Sequence, residues 1–412
     1  MNDANRPSHC SITKFSISND ELLIGGIPIS HLAMRVGSTP FYAYDRKIMT
    51  EQVDLLRRQL PKEIQLHYAM KANPMPAVVQ HLSKIVDGID VASQKEMLVA
   101  LDTGLAADNI SFAGPGKSNS ELTSAIAAGV VINVESAREL NAIQTIGQTI
   151  GIKPKVALRI NPNFELKGSS MKMGGGPKQF GIDAEKVPDI LKEINPLHFE
   201  FEGFHIFSGS QNLRADSIAD AQEKALDLAY ELAPFAPTAI KSVNIGGGFG
   251  IPYFPGDLRL DTELIGQKLV EKIPETKKRL PSAKIIIELG RFLVGESGVY
   301  VCKILEKKIS RGQIYLIVDG GLHHHLAATG NFGQILRKNF PVAVGNRMHS
   351  KQKEIVSVVG PLCTPLDLLA DKMELAKAEE GDLVVIFQSG AYGFTASPHN
   401  FLSHPPPKEV LV

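Results

Sequence analysis

Cysteine is scarce. Cys10, Cys302 and Cys363 are odd in number and far apart in 412 residues, which argues against a disulfide framework and fits a reducing compartment. Net charge is absent too. Forty-four basic residues balance 44 acidic ones, so nothing in the overall charge points to nucleic acid or an anionic membrane surface, and a neutral small or carrier-bound partner stays open. No apolar run is long enough to span a bilayer, and the opening MNDANRPSHCSITKF lacks the apolar core of a signal peptide. Low-complexity tracts, charge blocks and short-period repeats are also missing. The expectation is a cytoplasmic protein with no nucleic-acid or membrane partner.

What the chain does have is length and a regular texture. It is too long for one small core, which suggests two domains or one large one with an appendage. From residue 64 short β-branched runs alternate with longer helical patterns: IQLHYAM (64–70), VDGIDVA (86–92), NISFAG (109–114), VVINVE (130–135), KVALRIN (155–161), FEFEGFHIF (199–207), KSVNIG (241–246) and KIIIELG (284–290). Helical stretches such as SQKEMLVALDTG, SNSELTSAIAAG and SARELNAIQTIGQTIG open on a capping serine, and several close on glycine. Eight strands with helical crossovers predict a (β/α)8 barrel of the α/β class over residues 38–290. After Arg291 strand-like runs dominate, so residues 1–37 and 291–412 are expected to form a discontinuous, mainly β domain, with KFSISNDELLIGGI pairing into the C-terminal sheet. The Gly- and Lys-rich segment 162–182 is longer than a structural link requires, which points to a functional loop.

Active sites of such barrels lie at the C-terminal ends of the strands. Lys71, Asp90, Glu135, Arg159, His205, Ser208, Glu288 and Arg291 fall at or near those ends, with AGPGK (113–117) after the third strand. Gly246, Gly247 and Gly248 follow the seventh strand, where bare amides beside an arginine on the eighth suit phosphate. In LHYAMKANP, Lys71 stands near the end of an apolar strand, just before an Ala-Asn-Pro break. A lysine facing a phosphate-binding mouth suggests a Schiff base. Either it attacks a substrate carbonyl, as in aldolases, or it holds pyridoxal phosphate.

The motifs YAMKANP, IDVAS, FHIFSGSQ, NIGGGFG, IELGR, VGPLCTPLD, SGAYG and the closing PPPKEVLV, in this order and spacing, resemble the fold-type III pyridoxal-phosphate decarboxylases over nearly the whole chain. That group contains the diaminopimelate, ornithine and arginine decarboxylases and has an alanine-racemase-like barrel. MKMGGGPKQFG, GGLHHH and GPLCTPLD look like the branch that accompanies exosortase-type exopolysaccharide systems, and like the glutamyl-carrier-protein decarboxylase of butirosin biosynthesis. The resemblance implies pyridoxal 5'-phosphate as cofactor, joined to Lys71 as an internal aldimine. Glu288 would then face the pyridine nitrogen and His205 would stack on the ring. Ser208, Gly247, Gly248, Arg291 and Tyr392 would hold the phosphate, with Gly246 and Gly290 also at the cofactor, while Arg159 and Asp90 position lysine and ring. It also implies a homodimer with shared active sites, in which Cys363 reaches the partner's site and protonates the carbanion at Cα, with Thr364 and Tyr392 facing substrate.

Two departures bear on substrate. Diaminopimelate and ornithine enzymes carry an acidic residue just after the cysteine, where this chain has Thr364, and the usual Lys-Phe-Gly after the long loop is Gln179-Phe180-Gly181. The run His323, His324, His325 is expected to line the active site rather than bind metal, since consecutive residues do not converge easily on one ion. The expected activity is α-decarboxylation of an amino acid or a carrier-tethered aminoacyl substrate. Diaminopimelate decarboxylase making L-lysine is the alternative within the class; a non-catalytic cofactor-binding regulator and an amino-acid racemase are the alternatives outside it.

Overall fold

A computed structural model describes residues 8–169, 171–334 and 336–412. They divide into two compact units. One comprises Gln52–Ile251 and Leu260–Phe292; the other comprises residues up to Glu51, Pro252–Arg259 and Leu293–Val412.

The first unit is a closed parallel barrel. Its strands are β1 (Ile64–Ala69), β2 (Gly88–Val91), β3 (Ile110–Phe112), β4 (Val131–Val134), β5 (Lys155–Asn161), β6 (Glu200–Ile206), β7 (Ser242–Gly247) and β8 (Lys284–Leu289). They pair in sequence order, and β8 pairs with β1 to close the ring. All eight coincide with runs read from the sequence, their ends differing by at most two residues. Seven crossover helices connect them: Pro76–Leu82, Gln94–Leu101, Asn119–Ala128, Ala137–Ile150, Val187–Glu193, Ala215–Leu232 and Thr262–Arg279.

The capping serines behave as their chemistry dictates. Ser93, Ser118 and Ser136 each accept from the backbone N–H three residues on, and Ser118 forms a full capping box with Glu121. Gly129 and Gly151 end their helices at φ 75° and 71°, a conformation that disfavours a side chain.

Along each strand one set of residues packs outward under the helices, among them Leu66, Tyr68, Ile89, Ile132, Leu158 and Val243, all at most 1% exposed. Each such burial stabilises by about 1.5–3 kcal/mol. The alternate set faces the barrel interior and is largely polar: His67, Asp90, Asn133, Arg159, His205, Asn244 and Glu288 are all buried. Barrel interiors of this fold are ordinarily filled by branched apolar side chains, so this composition marks the interior as a working surface.

The second unit is mainly β. Its central sheet runs Val342–Val344, Leu383–Ile386, Gly298–Ser310, Gln313–Val318, Lys353–Val359 and Leu368–Ala376 in spatial order. Phe41–Tyr44 joins it, antiparallel to Gly298–Val301 and parallel to Lys408–Leu411. Here the structure corrects two expectations. Phe41–Tyr44 belongs to this sheet, so the boundary moves from residue 38 to after Glu51, and Pro252–Arg259 also joins this unit. The N-terminal strands Ile17–Ser18, Glu21–Ile24 and Ile27–Pro28 form their own antiparallel sheet instead of extending the large one, because tight turns let each find its partner locally. Leu22 and Ile24 of this small sheet still pack into the unit's core with Phe41, Val299 and Val385.

Candidate active site

Lys71 does not lie on the strand. β1 stops at Ala69, and Met70–Ala72 form a 3-10 turn. The cause is local: Pro74 restricts Asn73, Tyr68 Oη donates to the Asn73 carbonyl at 2.7 Å, and Asn73 Oδ1 accepts from Met75 N at 3.2 Å. The turn brings Lys71 Nζ to 3.4 Å from Glu288 Oε1 and 5.5 Å from the Phe207 ring centre, with 42% of its side chain exposed. A Cβ at Gly290 would lie 2.9 Å from Ala72 Cβ, so glycine there lets the end of β8 approach this turn.

Glu288 receives two partners. Besides Lys71, its Oε2 lies 3.1 Å from His205 Nε2. Burial alone would raise its pKa, but the Lys71 charge and the His205 hydrogen bond outweigh it and hold the carboxyl well below its ordinary value. It is therefore an anion, and His205 Nε2 carries the proton between them. His205 Nδ1 is buried and meets no protein partner among the described residues.

A second network fixes the neighbouring strand ends. Glu135, just after β4, accepts from Arg159 Nη1 at 2.7 Å and Gly114 N at 2.6 Å, and its other oxygen accepts from Gly181 N at 3.0 Å. One carboxylate thus ties the ends of β3, β4 and β5 to the close of the long 162–182 loop. Burial opposes its ionisation, yet the Arg159 and Lys117 charges keep its pKa lowered. Lys117 supports the network from within, donating to Glu139 Oε1 at 2.7 Å and to the Gly114 and Asn133 carbonyls. Arg159 also stacks 5.0 Å over the Phe180 ring.

At the end of β7, Gly246 and the following Gly248 adopt φ 72° and 75°, and a Cβ at Gly247 would sit 2.3 Å from the Glu288 carbonyl. Side chains are barred here, so an anion can approach the backbone closely, although the Gly246 N–H already donates to Asn244 Oδ1 at 2.9 Å. Ser208 is half-buried at the end of β6, and Arg291 follows β8.

In the second unit, Cys363 is exposed and Thr364 and Tyr392 are half-buried. The turn that carries Cys363 hangs on a residue missed in the sequence reading, Asp367. Its buried carboxylate accepts from Leu322 N at 2.5 Å and Leu362 N at 2.8 Å. A Cβ at Gly321 or Gly360 would collide with it, so glycine is required on both loops it joins. Tyr392 takes φ 54°, the left-handed region uncommon for its residue type, which often marks a working position.

The three consecutive histidines are packed inside this unit. His324 Nδ1 lies 3.0 Å from Tyr300 Oη and its Nε2 2.8 Å from the Pro405 carbonyl; His325 Nε2 lies 2.9 Å from Ser389 Oγ. His323 lies against His324 with ring centres 3.6 Å apart. Among the described residues no three His, Cys, Asp or Glu side chains are placed to hold a metal, and no helix is long and apolar enough to cross a membrane.

The barrel mouth therefore offers an amine, a buried carboxylate held below its ordinary pKa, an imidazole with an unsatisfied nitrogen, and a glycine-lined strand end with an arginine on the neighbouring strand's exit. That set fits pyridoxal phosphate: the amine suits its aldehyde, the carboxylate its ring nitrogen, and the amides and guanidinium its phosphate. Residues 46–295 match the family model of the pyridoxal-dependent decarboxylase, pyridoxal binding domain. The chain is 37% identical over 383 residues to L-glutamyl-[BtrI acyl-carrier protein] decarboxylase of Niallia circulans, covering 90% of this chain and 88% of that protein. It is 31% identical over 386 residues to 2-[(L-alanin-3-ylcarbamoyl)methyl]-2-hydroxybutanedioate decarboxylase of Staphylococcus aureus, covering 90% and 93%. The solved structure of diaminopimelate decarboxylase from M. jannaschii in complex with L-lysine matches at a TM-score of 0.86 and 27% identity, over 97% of this chain and 93% of that one. The chain belongs to the pyridoxal-dependent decarboxylases, a family of carboxy-lyases whose cofactor is pyridoxal 5'-phosphate.

Proposed function

We propose that this decarboxylase removes the α-carboxyl group of an amino acid whose distal end is joined to a larger group, with a carrier-protein conjugate as the leading candidate, and that it works as a homodimer in a reducing cytoplasm. The observation that carries this is Thr364. Diamino-acid decarboxylases place a carboxylate there to meet a distal ammonium ion; a threonine offers no such counter-charge. The names of two relatives agree in chemistry, since one describes a glutamyl group on a carrier protein and the other an alanine joined through a carbamoylmethyl link to a hydroxybutanedioate.

Pyridoxal phosphate, when bound, supplies the electron sink for the charge left at Cα as carbon dioxide departs. The chain's own residues do the rest. Lys71 would hold the cofactor through its aldehyde, and the Glu288 carboxylate would favour a protonated pyridine nitrogen. His205 would lie against the ring. Ser208, Gly247, Gly248, Arg291 and Tyr392 would hold the phosphate, with Gly246 and Gly290 lining the cofactor and Arg159 and Asp90 as positioning residues. Cys363 of the partner subunit delivers a proton to Cα. The exposure of Cys363 and the rigid turn built on Asp367 support that last role.

A second reading, diaminopimelate decarboxylation to L-lysine, is favoured by the likeness to the M. jannaschii enzyme. Carbon dioxide release from a panel of free and carrier-loaded amino acids decides between them. The proposal expects the conjugates to exceed lysine, ornithine and diaminopimelate in kcat/KM, and Thr364→Glu to move activity toward the diamino acids. Efficient turnover of free diaminopimelate by the unaltered enzyme overturns it.

A further inference from the structure

The polar lining of the barrel continues from the mouth toward the opposite, N-terminal end. His67 of β1, Asp90 of β2, Ser111 of β3 and Asn133 of β4 form one hydrogen-bonded chain across four consecutive strands. Asn133 Nδ2 donates to Ser111 Oγ at 3.1 Å, Ser111 Oγ donates to Asp90 Oδ1, and His67 Nδ1 lies 3.3 Å from that same oxygen. Asp90 is 6% exposed and His67 5%. Two side-chain donors therefore converge on Oδ1, while Oδ2, just as buried, meets no protein donor among the described residues.

The arrangement is built rather than incidental. A Cβ at Gly88 would lie 2.4 Å from two ring atoms of His67, so β2 is bare where the imidazole rests. All four residues also line a cavity of about 360 Å³ that reaches the strand starts at Lys155, Ser242 and Lys284. His67 thus approaches Asp90 from the side of the barrel away from substrate entry.

We propose that His67 is a positioning residue for the cofactor site. Together with Ser111 it ties down Oδ1 of Asp90, fixes the carboxylate's rotation, and leaves Oδ2 as the acceptor for the group bound at Lys71. The inference rests on the proposed place of Asp90 in the cofactor site and extends that site to a residue that the strand-end rule does not reach.

The test is the affinity of cofactor-free protein for pyridoxal phosphate, measured by titration for the unaltered chain, Asp90→Asn, His67→Phe, His67→Gln and the double variant Asp90→Asn/His67→Phe, with a melting midpoint for each. Loss of a hydrogen bond to a charged group predicts about ten-fold weaker binding in His67→Phe. His67→Gln keeps an N–H donor and should recover most of it. Because His67 acts through Asp90, the double variant should bind no more weakly than Asp90→Asn alone. If Asp90→Asn weakens binding and His67→Phe does not, or if the two losses simply add, the positioning role is overturned. If Asp90→Asn itself leaves affinity unchanged, the premise about Asp90 falls and the proposal with it. A lowered melting midpoint in His67→Phe with undiminished cofactor affinity assigns His67 to packing alone and overturns the proposal.

Discussion

His205 Nε2 reaches Glu288 Oε2 at 3.1 Å from two strands that are not neighbours: β6 and β8 flank β7, and the pair closes over it inside the barrel. Both side chains are 4% exposed, so this is a buried, charge-assisted hydrogen bond. With Lys71 Nζ on the other carboxylate oxygen, the pair sets a negative charge where water is largely excluded.

Glu288→Gln keeps the shape and removes the charge. It should lower kcat by about 10²–10³-fold, the scale seen when one preorganised electrostatic contact is lost, while far-ultraviolet circular dichroism stays unchanged. Steady-state kinetics on the preferred substrate check this. A kcat within two- to three-fold of the unaltered enzyme, roughly the scatter of single-site effects, would remove Glu288 from the mechanism.

The buried histidines of the β unit make stability depend on pH in a known direction. Burial lowers the pKa of His325 to about 3, that of His323 to about 3 and that of His324 to about 4. A histidine held neutral in the folded state contributes stability that is complete above its unfolded pKa and is lost as pH falls toward the folded one. The loss therefore begins near pH 6.5. For His325 alone it amounts to about 2 kcal/mol by pH 5. Urea midpoints at pH 7.5 and 5 should differ accordingly, and His325→Gln should flatten part of the difference.

Cys363 and Lys71 together test the shared site. Cys363→Ala should retain cofactor but slow formation of the amine. Mixing it with inactive Lys71→Ala chains, under conditions of subunit exchange, should give about half mixed dimers with one complete site each, and so roughly a quarter of full activity. No recovery despite demonstrated exchange would return Cys363 to a role within its own chain.

Much of this was legible in the sequence, for stated reasons. The strands of a parallel barrel are buried on both faces, so they read as short β-branched runs, and serine caps with glycine stops mark the helices between them. The strand ends then nominated Glu135, Arg159, His205 and Glu288. What stayed hidden depends on distant partners. Glu135 meets Gly181 46 residues on, Asp367 meets Leu322 45 residues back, and His67 meets Asp90 23 residues on; none of these spacings is periodic. The 3-10 turn at Lys71 depends on a side-chain bond from Tyr68, which strand alternation does not reveal. Phe41–Tyr44 is too short to declare which sheet it joins.

The central claim is that the amine beside Glu288 is where the cofactor attaches. Borohydride reduction of the purified holoenzyme without substrate, followed by proteolysis and mass spectrometry, tests it most directly. The expected result is one phosphopyridoxyl label, on the peptide containing Lys71. A label on any other lysine, or trapping that requires substrate to be present, would contradict the account.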